Sequence, residues 1–118
     1  MRLFLRSFEN ALRGIKISII TQRNVRFHFI SLIIVVILAI FFEISTEKWL
    51  AIILSCGLVI GLEIINSSIE ELVDYISQER NKQAGRIKDL AAGSVLIAAI
   101  TAAIIGIVIF IPEFLKVL

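Results

Sequence analysis

Between Leu90 and Ile111 the chain runs for 22 residues without one charged side chain, and no other feature limits its fold so strongly. At ~1.5 Å of rise per residue, a helix of this length crosses the ~30 Å hydrocarbon core of a bilayer. Two further runs repeat the pattern. Phe27 to Phe42 is apolar except for His28 and Ser31, and Trp49 opens an uncharged run that continues to Leu62. With 58% hydrophobic residues and a mean hydropathy of +0.97, the composition excludes an ordinary soluble domain. The expected fold is therefore an all-α integral membrane protein, a single domain over residues 1-118, with spans at about 26-43, 48-76 and 88-111. Pro112 is expected to stop the third span ahead of an amphiphilic tail.

The segment before the first span has a different period. Phe4, Phe8, Ala11, Leu12, Ile15 and Ile19 recur on one helical face and Arg2, Arg6, Glu9, Arg13 and Lys16 on another, which predicts an amphipathic surface helix at about 2-22, lying in the membrane interface. Its basic region is long and patterned, with no A-x-A-like site, unlike a cleaved leader, so the whole chain is expected to be mature. Six basic residues precede the first span, and Arg80, Lys82, Arg86 and Lys88 lie between the second and third, against Lys48 and Lys116 on the other side. The positive-inside rule then places the N-terminus and the 77-88 loop in the cytoplasm. Cys56 is alone, which excludes an intrachain disulfide and a thiolate metal cluster and leaves it a packing role. Gly57 and Gly61, and the stripe Ser94, Ala98, Ala102 and Gly106, offer small surfaces for close helix approach.

The second span ends in a pattern that apolar burial does not explain. Glu63, Asn66, Glu70 and Asp74 stand at offsets of 3, 7 and 11, which at ~100° per residue puts them within an arc of roughly 80° on one helix face. Counted from Trp49 at ~1.5 Å per residue, Glu63 lies about 21 Å along the span and Glu70 about 31 Å. A helix emerging from the bilayer accounts for Glu71 and Asp74. It accounts poorly for Glu63 and Asn66, because a carboxylate facing hydrocarbon costs several kcal/mol and must face protein, water or a partner charge.

Beyond the loop, Gly85 precedes Lys88 and Asp89 at the predicted start of the third span. Taken alone, Asp89 would cap that helix and Lys88 would snorkel. Beside a carboxylate stripe facing the same interface, they complete what phosphoryl transfer requires: oxygen ligands for a divalent cation, a cation for phosphate charge, and a base for an attacking hydroxyl.

The run E-I-I-N-S-S-I-E-E-L-V-D from Glu63 to Asp74, G-R-I-K-D from Gly85 to Asp89, and A-A-G-S-V-L-I-A-A from Ala91 resemble the prokaryotic diacylglycerol kinase family, which includes the undecaprenol kinases. The resemblance covers nearly the whole chain. It implies a homotrimeric bundle with composite sites between subunits, in the bacterial cytoplasmic membrane. The implied activity is an ATP- and Mg2+-dependent lipid kinase acting on diacylglycerol or undecaprenol, with no nucleic-acid partner. Carried over, Glu63 is the base for the lipid hydroxyl, and Asn66, Lys88 and Asp89 belong to the catalytic group. Asp74, Lys88, Glu70 and Gly85 serve the nucleotide, and Glu70 serves the metal. No Walker-type G-x-x-x-x-G-K-[ST] is present, so ATP is implied by the resemblance alone.

One position departs from that family. Gln22 stands where a metal-binding Glu is usual, offering a neutral carbonyl oxygen instead. His28, near the lipid interface, is expected to be structural rather than a ligand. Two other classes remain open at this stage. In a small cation or proton transporter, Glu63 and Glu70 would relay ions, although the first and third spans hold no charge to continue the path. In a non-catalytic helical scaffold, the carboxylates would only fix register.

Overall fold

The computed structural model describes all 118 residues, which form four helices and the short segments that join them. These are α1 (Arg2–Thr21), α2 (Arg23–Phe41), α3 (Thr46–Ile76) and α4 (Lys82–Val117). The last three are each long and apolar enough to cross a membrane. At ~1.5 Å per residue, the 19 residues of α2 come to about 28 Å, while the 31 of α3 and the 36 of α4 reach about 46 and 54 Å. α3 and α4 therefore overrun a ~30 Å hydrocarbon core. They run antiparallel, since ion pairs join the start of α3 to the end of α4 and the end of α3 to the start of α4.

Gln22 breaks α1 from α2 by leaving the helical region at φ −112°, ψ 113°. The joint is then closed by Arg26, whose Nη1 donates to the carbonyls of Ile19 and Ile20, both at 2.9 Å. These belong to the last turn of α1, where carbonyls lack helical partners and a cation is favoured. Ser18 is the one buried side chain of α1.

α2 ends in a Schellman turn. Glu43 takes a left-handed φ of 50°, its N–H donates to Ile40 O, and the Ile44 N–H donates to Ala39 O. The apolar contact of that motif is present as well, because Ala39 and Ile44 join Ile52, Ile109 and Phe110 in the buried core. Phe42 extends this cluster toward Phe114, with ring centroids 4.8 Å apart. The apolar core cluster thus lies at the α2–α3 turn, at the opposite end of the bundle from the polar stripe.

One expectation is corrected, and one alternative reading is removed. Pro112 does not stop the third helix, which continues to Val117. Proline removes one donor, the bond to the Val108 carbonyl, but the turns beyond it are held from outside. Glu113 accepts from Lys48 Nζ at 3.1 Å, and Phe114 packs on Phe42. Asp89 does not cap the helix either. α4 begins at Lys82, with the Asn81 side chain accepting from the Ala84 N–H at 2.7 Å, so Asp89 sits two turns inside.

Candidate functional site

Along α3 the polar stripe passes from buried to open. Glu63, Asn66 and Ser67 are buried, Glu70 is half-buried and Asp74 is exposed. The gradient follows from helix geometry: the stripe faces α2 and α4 where the three helices pack, and α3 then outruns α2. Ser67 Oγ donates to the Glu63 carbonyl at 3.0 Å, a back-bond that removes the hydroxyl from competition for the carboxylate.

The Glu63 carboxylate meets α2. Its Oε2 lies 3.8 Å from His28 Nε2, with both side chains largely shielded. His28 is five residues beyond Arg23, or about 7.5 Å along the helix. Arg23 opens α2, so the contact places Glu63 within about two turns of that end of the apolar helix. His28 is a single imidazole in an apolar run, which needs a polar partner when buried, and Glu63 is the group it meets.

Asn66 lies one turn on from Glu63, and its Oδ1 is buried without a hydrogen-bond partner. Such an orphan acceptor costs about 1–3 kcal/mol and marks a place prepared for a donor or a cation. Below the Glu63 level, an apolar cavity of about 340 Å³ lies between α2, α3 and α4, lined by His28, Ser31, Val59, Ile60, Ala102 and Gly106 among others. Val59 and Ile60 stand one turn before Glu63, so the cavity ends beneath the carboxylate.

At the open end, Lys88 Nζ approaches Asp74 Oδ1 to 2.5 Å, tying α4 to α3. Both face a cleft shared with Gly85 and the 77–81 loop. Gly85 has open space where a Cβ would project, and it also borders a second cleft with Lys82, Arg86 and Asp89. One chain therefore brings Lys88 and Asp74 together but turns Asp89 to the other side of α4. Gln22 stays at the α1–α2 joint, half-buried. Within one chain, no three His, Cys, Asp or Glu side chains converge as a metal cluster.

The donor set nevertheless suits Mg2+ arriving with a nucleotide. Mg2+ takes hard oxygen ligands and commonly uses one or two carboxylates with substrate phosphates. Glu70 offers a carboxylate, Gln22 an amide oxygen, and Asn66 a buried amide oxygen without a partner.

Comparison with known proteins gives this arrangement a context. The family model for prokaryotic diacylglycerol kinase matches residues 9–110. The chain is 38% identical to an undecaprenol kinase of Bacillus subtilis, over 93% of this chain and 89% of that protein. It is 34% identical to a diacylglycerol kinase of Synechocystis, over 93% and 63% of the two chains. It is 30% identical to a diacylglycerol kinase of Escherichia coli K12, over 86% and 84%.

Proposed function

The chain belongs to the prokaryotic diacylglycerol kinase family and is a membrane lipid kinase, and from that premise we propose that it transfers the γ-phosphoryl group of ATP to the hydroxyl of a long-chain lipid alcohol, with Glu63 as the base. The observation that carries this reading is the burial of Glu63 beside α2 and next to an apolar cavity. A lipid alcohol can present its hydroxyl there while its chain remains in apolar surroundings.

The chemistry then follows from position. The Glu63 carboxylate accepts the hydroxyl proton as the oxygen attacks the γ-phosphorus, the bond to the β-phosphate oxygen breaks, and ADP leaves. Lys88, held by Asp74 at the mouth of the open cleft, is placed for phosphate charge, and Gly85 leaves room for the nucleotide. Asn66 supports the reacting groups with its unpartnered oxygen. Mg2+, when bound, neutralises developing phosphate charge. Glu70 and Gln22 are the residues of this chain that would hold it.

In this reading α1 lies in the interface, with its exposed Phe4, Phe8 and Leu12 in lipid and its arginines among anionic headgroups. The N-terminus and the 77–81 loop are cytoplasmic, in the inner membrane of a bacterium, as their Lys and Arg content favours. The working unit is a homotrimer. Gly57 and Gly61 face open space on α3, a surface suited to a neighbouring helix. A second copy would also bring Asp89 toward a site from which its own chain turns it.

Incubating the purified protein in detergent with labelled ATP, Mg2+ and either diacylglycerol or undecaprenol tests the proposal. A phosphorylated lipid from at least one alcohol is expected, and none from either would overturn it. A cation relay is not favoured, because α4 carries no charge from Leu90 to Ile111.

A further inference from the structure

We propose that His28 is a positioning residue for Glu63: its Nε2 proton fixes one carboxylate oxygen, so that the other is presented to the lipid hydroxyl. The proposal rests on the reading of Glu63 as base. His28 is the only histidine of the chain. Its Nε2 stands 3.8 Å from Glu63 Oε2 across the α2–α3 contact, with side-chain exposures of 18% and 5%. No other cationic group approaches that carboxylate within salt-bridge distance, and no side chain of the same protomer hydrogen-bonds it. The nearest arginine along α2, Arg26, is engaged with the α1 carbonyls instead.

The surroundings of the imidazole direct it to one task. Its ring meets Phe27 edge-on, with centroids 5.6 Å apart and planes at 75°, and otherwise borders the apolar cavity, which no charged side chain lines. A buried imidazole needs a partner for its N–H, and a buried carboxylate needs a donor. Each is the polar group within the other's reach. Whether neutral in the Nε2–H form or protonated, imidazole can donate from this nitrogen. The 3.8 Å gap exceeds the 2.7–3.2 Å of a formed hydrogen bond, and catalytic hydrogen bonds are often long before substrate binds and tighten with it. Paired imidazole and carboxylate groups orient each other in acyl-transfer triads. Here the carboxylate is the reacting member and the imidazole its support.

Glutamine supplies the test, because its side-chain N–H2 reaches close to the place of Nε2, while leucine fills the same volume without a donor. In full-length protein in bicelles, His28→Leu should lower kcat about 10- to 100-fold, the usual cost of losing an orienting partner, with the KM for ATP unchanged. His28→Gln should recover most of that loss. On a Glu63→Gln background, His28→Leu should add little. Independently of turnover, labelling the single histidine with 15N makes its Nε2 resonance a reporter, which Glu63→Gln should shift. Full activity in His28→Leu would overturn the proposal. So would equal losses in the Leu and Gln variants accompanied by a fall in Tm, which marks a packing role, or an Nε2 resonance indifferent to Glu63→Gln. Loss of turnover in Glu63→Gln together with full turnover in His28→Leu would leave the function standing and remove only this inference. A Glu63→Gln variant that stays active would remove both the base and its positioning residue.

Discussion

Lys88 on α4 and Asp74 on α3 meet with Nζ 2.5 Å from Oδ1, although 14 residues separate them and both side chains are substantially exposed. Exposed pairs of this kind contribute about 0–1 kcal/mol to stability. The contact is thus too weak to hold two helices that already pack along their length, and its value lies in where it keeps the ammonium group.

That separation of roles predicts the behaviour of Lys88→Ala. Activity should fall by about 10²–10³, the cost of losing one preorganised charge partner in a transition state, while Tm in detergent changes by no more than a few degrees. A kinase assay beside a thermal melt checks both. Activity within twofold of wild type would remove Lys88 from the phosphate site.

Glu63→Gln should keep the oligomer and helix content yet cost about 10²–10⁴ in turnover, because an amide cannot accept the hydroxyl proton. Steady-state rates, with size-exclusion chromatography as the control for assembly, measure this. Turnover within twofold of wild type would exclude Glu63 as the base.

Gln22→Glu should lower the Mg2+ concentration for half-maximal activity, since a carboxylate brings full charge to a hard cation where an amide brings only a dipole. Without metal, the new charge should make the protein less stable in chelator, through repulsion with Glu70. An unchanged Mg2+ titration would take position 22 off the ligand set.

Glu43→Gly addresses the fold alone. Glu43 holds φ 50°, a conformation that costs a non-glycine residue roughly 1–2 kcal/mol. Glycine adopts it freely but has more freedom to lose on folding, worth about 0.5–1 kcal/mol. The net expectation is a gain of up to about 1.5 kcal/mol, read as a rise in Tm with unchanged kinase activity. A lower Tm would mean that the Glu43 side chain contributes a contact beyond its turn.

How much of this was legible depends on the physical range of each signal. The three long apolar helices follow from length, because in hydrocarbon the backbone must satisfy itself within the helix, and α1 follows from its period. The stripe from Glu63 to Asp74 was legible for the same reason, one helix fixing the relative angles of its own side chains. Contacts between helices were not. The approach of His28 to Glu63 joins residues 35 positions apart, and nothing in either segment encodes that distance. Pro112 misled because its local cost is real, but Lys48 and Phe42, far away in sequence, hold the turns beyond it. The start of the last helix was not legible either, because the Asn81 cap begins α4 at Lys82, ahead of the expected start at 88, within a stretch too polar to read as span.

The unbroken course of α3 carries one further consequence. Glu63 and Asp74 ride on the same helix without a kink or proline between them, about 16.5 Å apart along its axis. If Glu63 serves the acceptor and Asp74 the nucleotide, as proposed, the helix is in effect a fixed ruler standing through the membrane surface, with those two ends as two of its marks. A thicker or thinner bilayer cannot change the spacing of the marks. It can only slide the waterline along them, drowning the base in hydrocarbon or lifting it into water. The lipid that surrounds such a protein is therefore a setting of the reaction as well as its solvent.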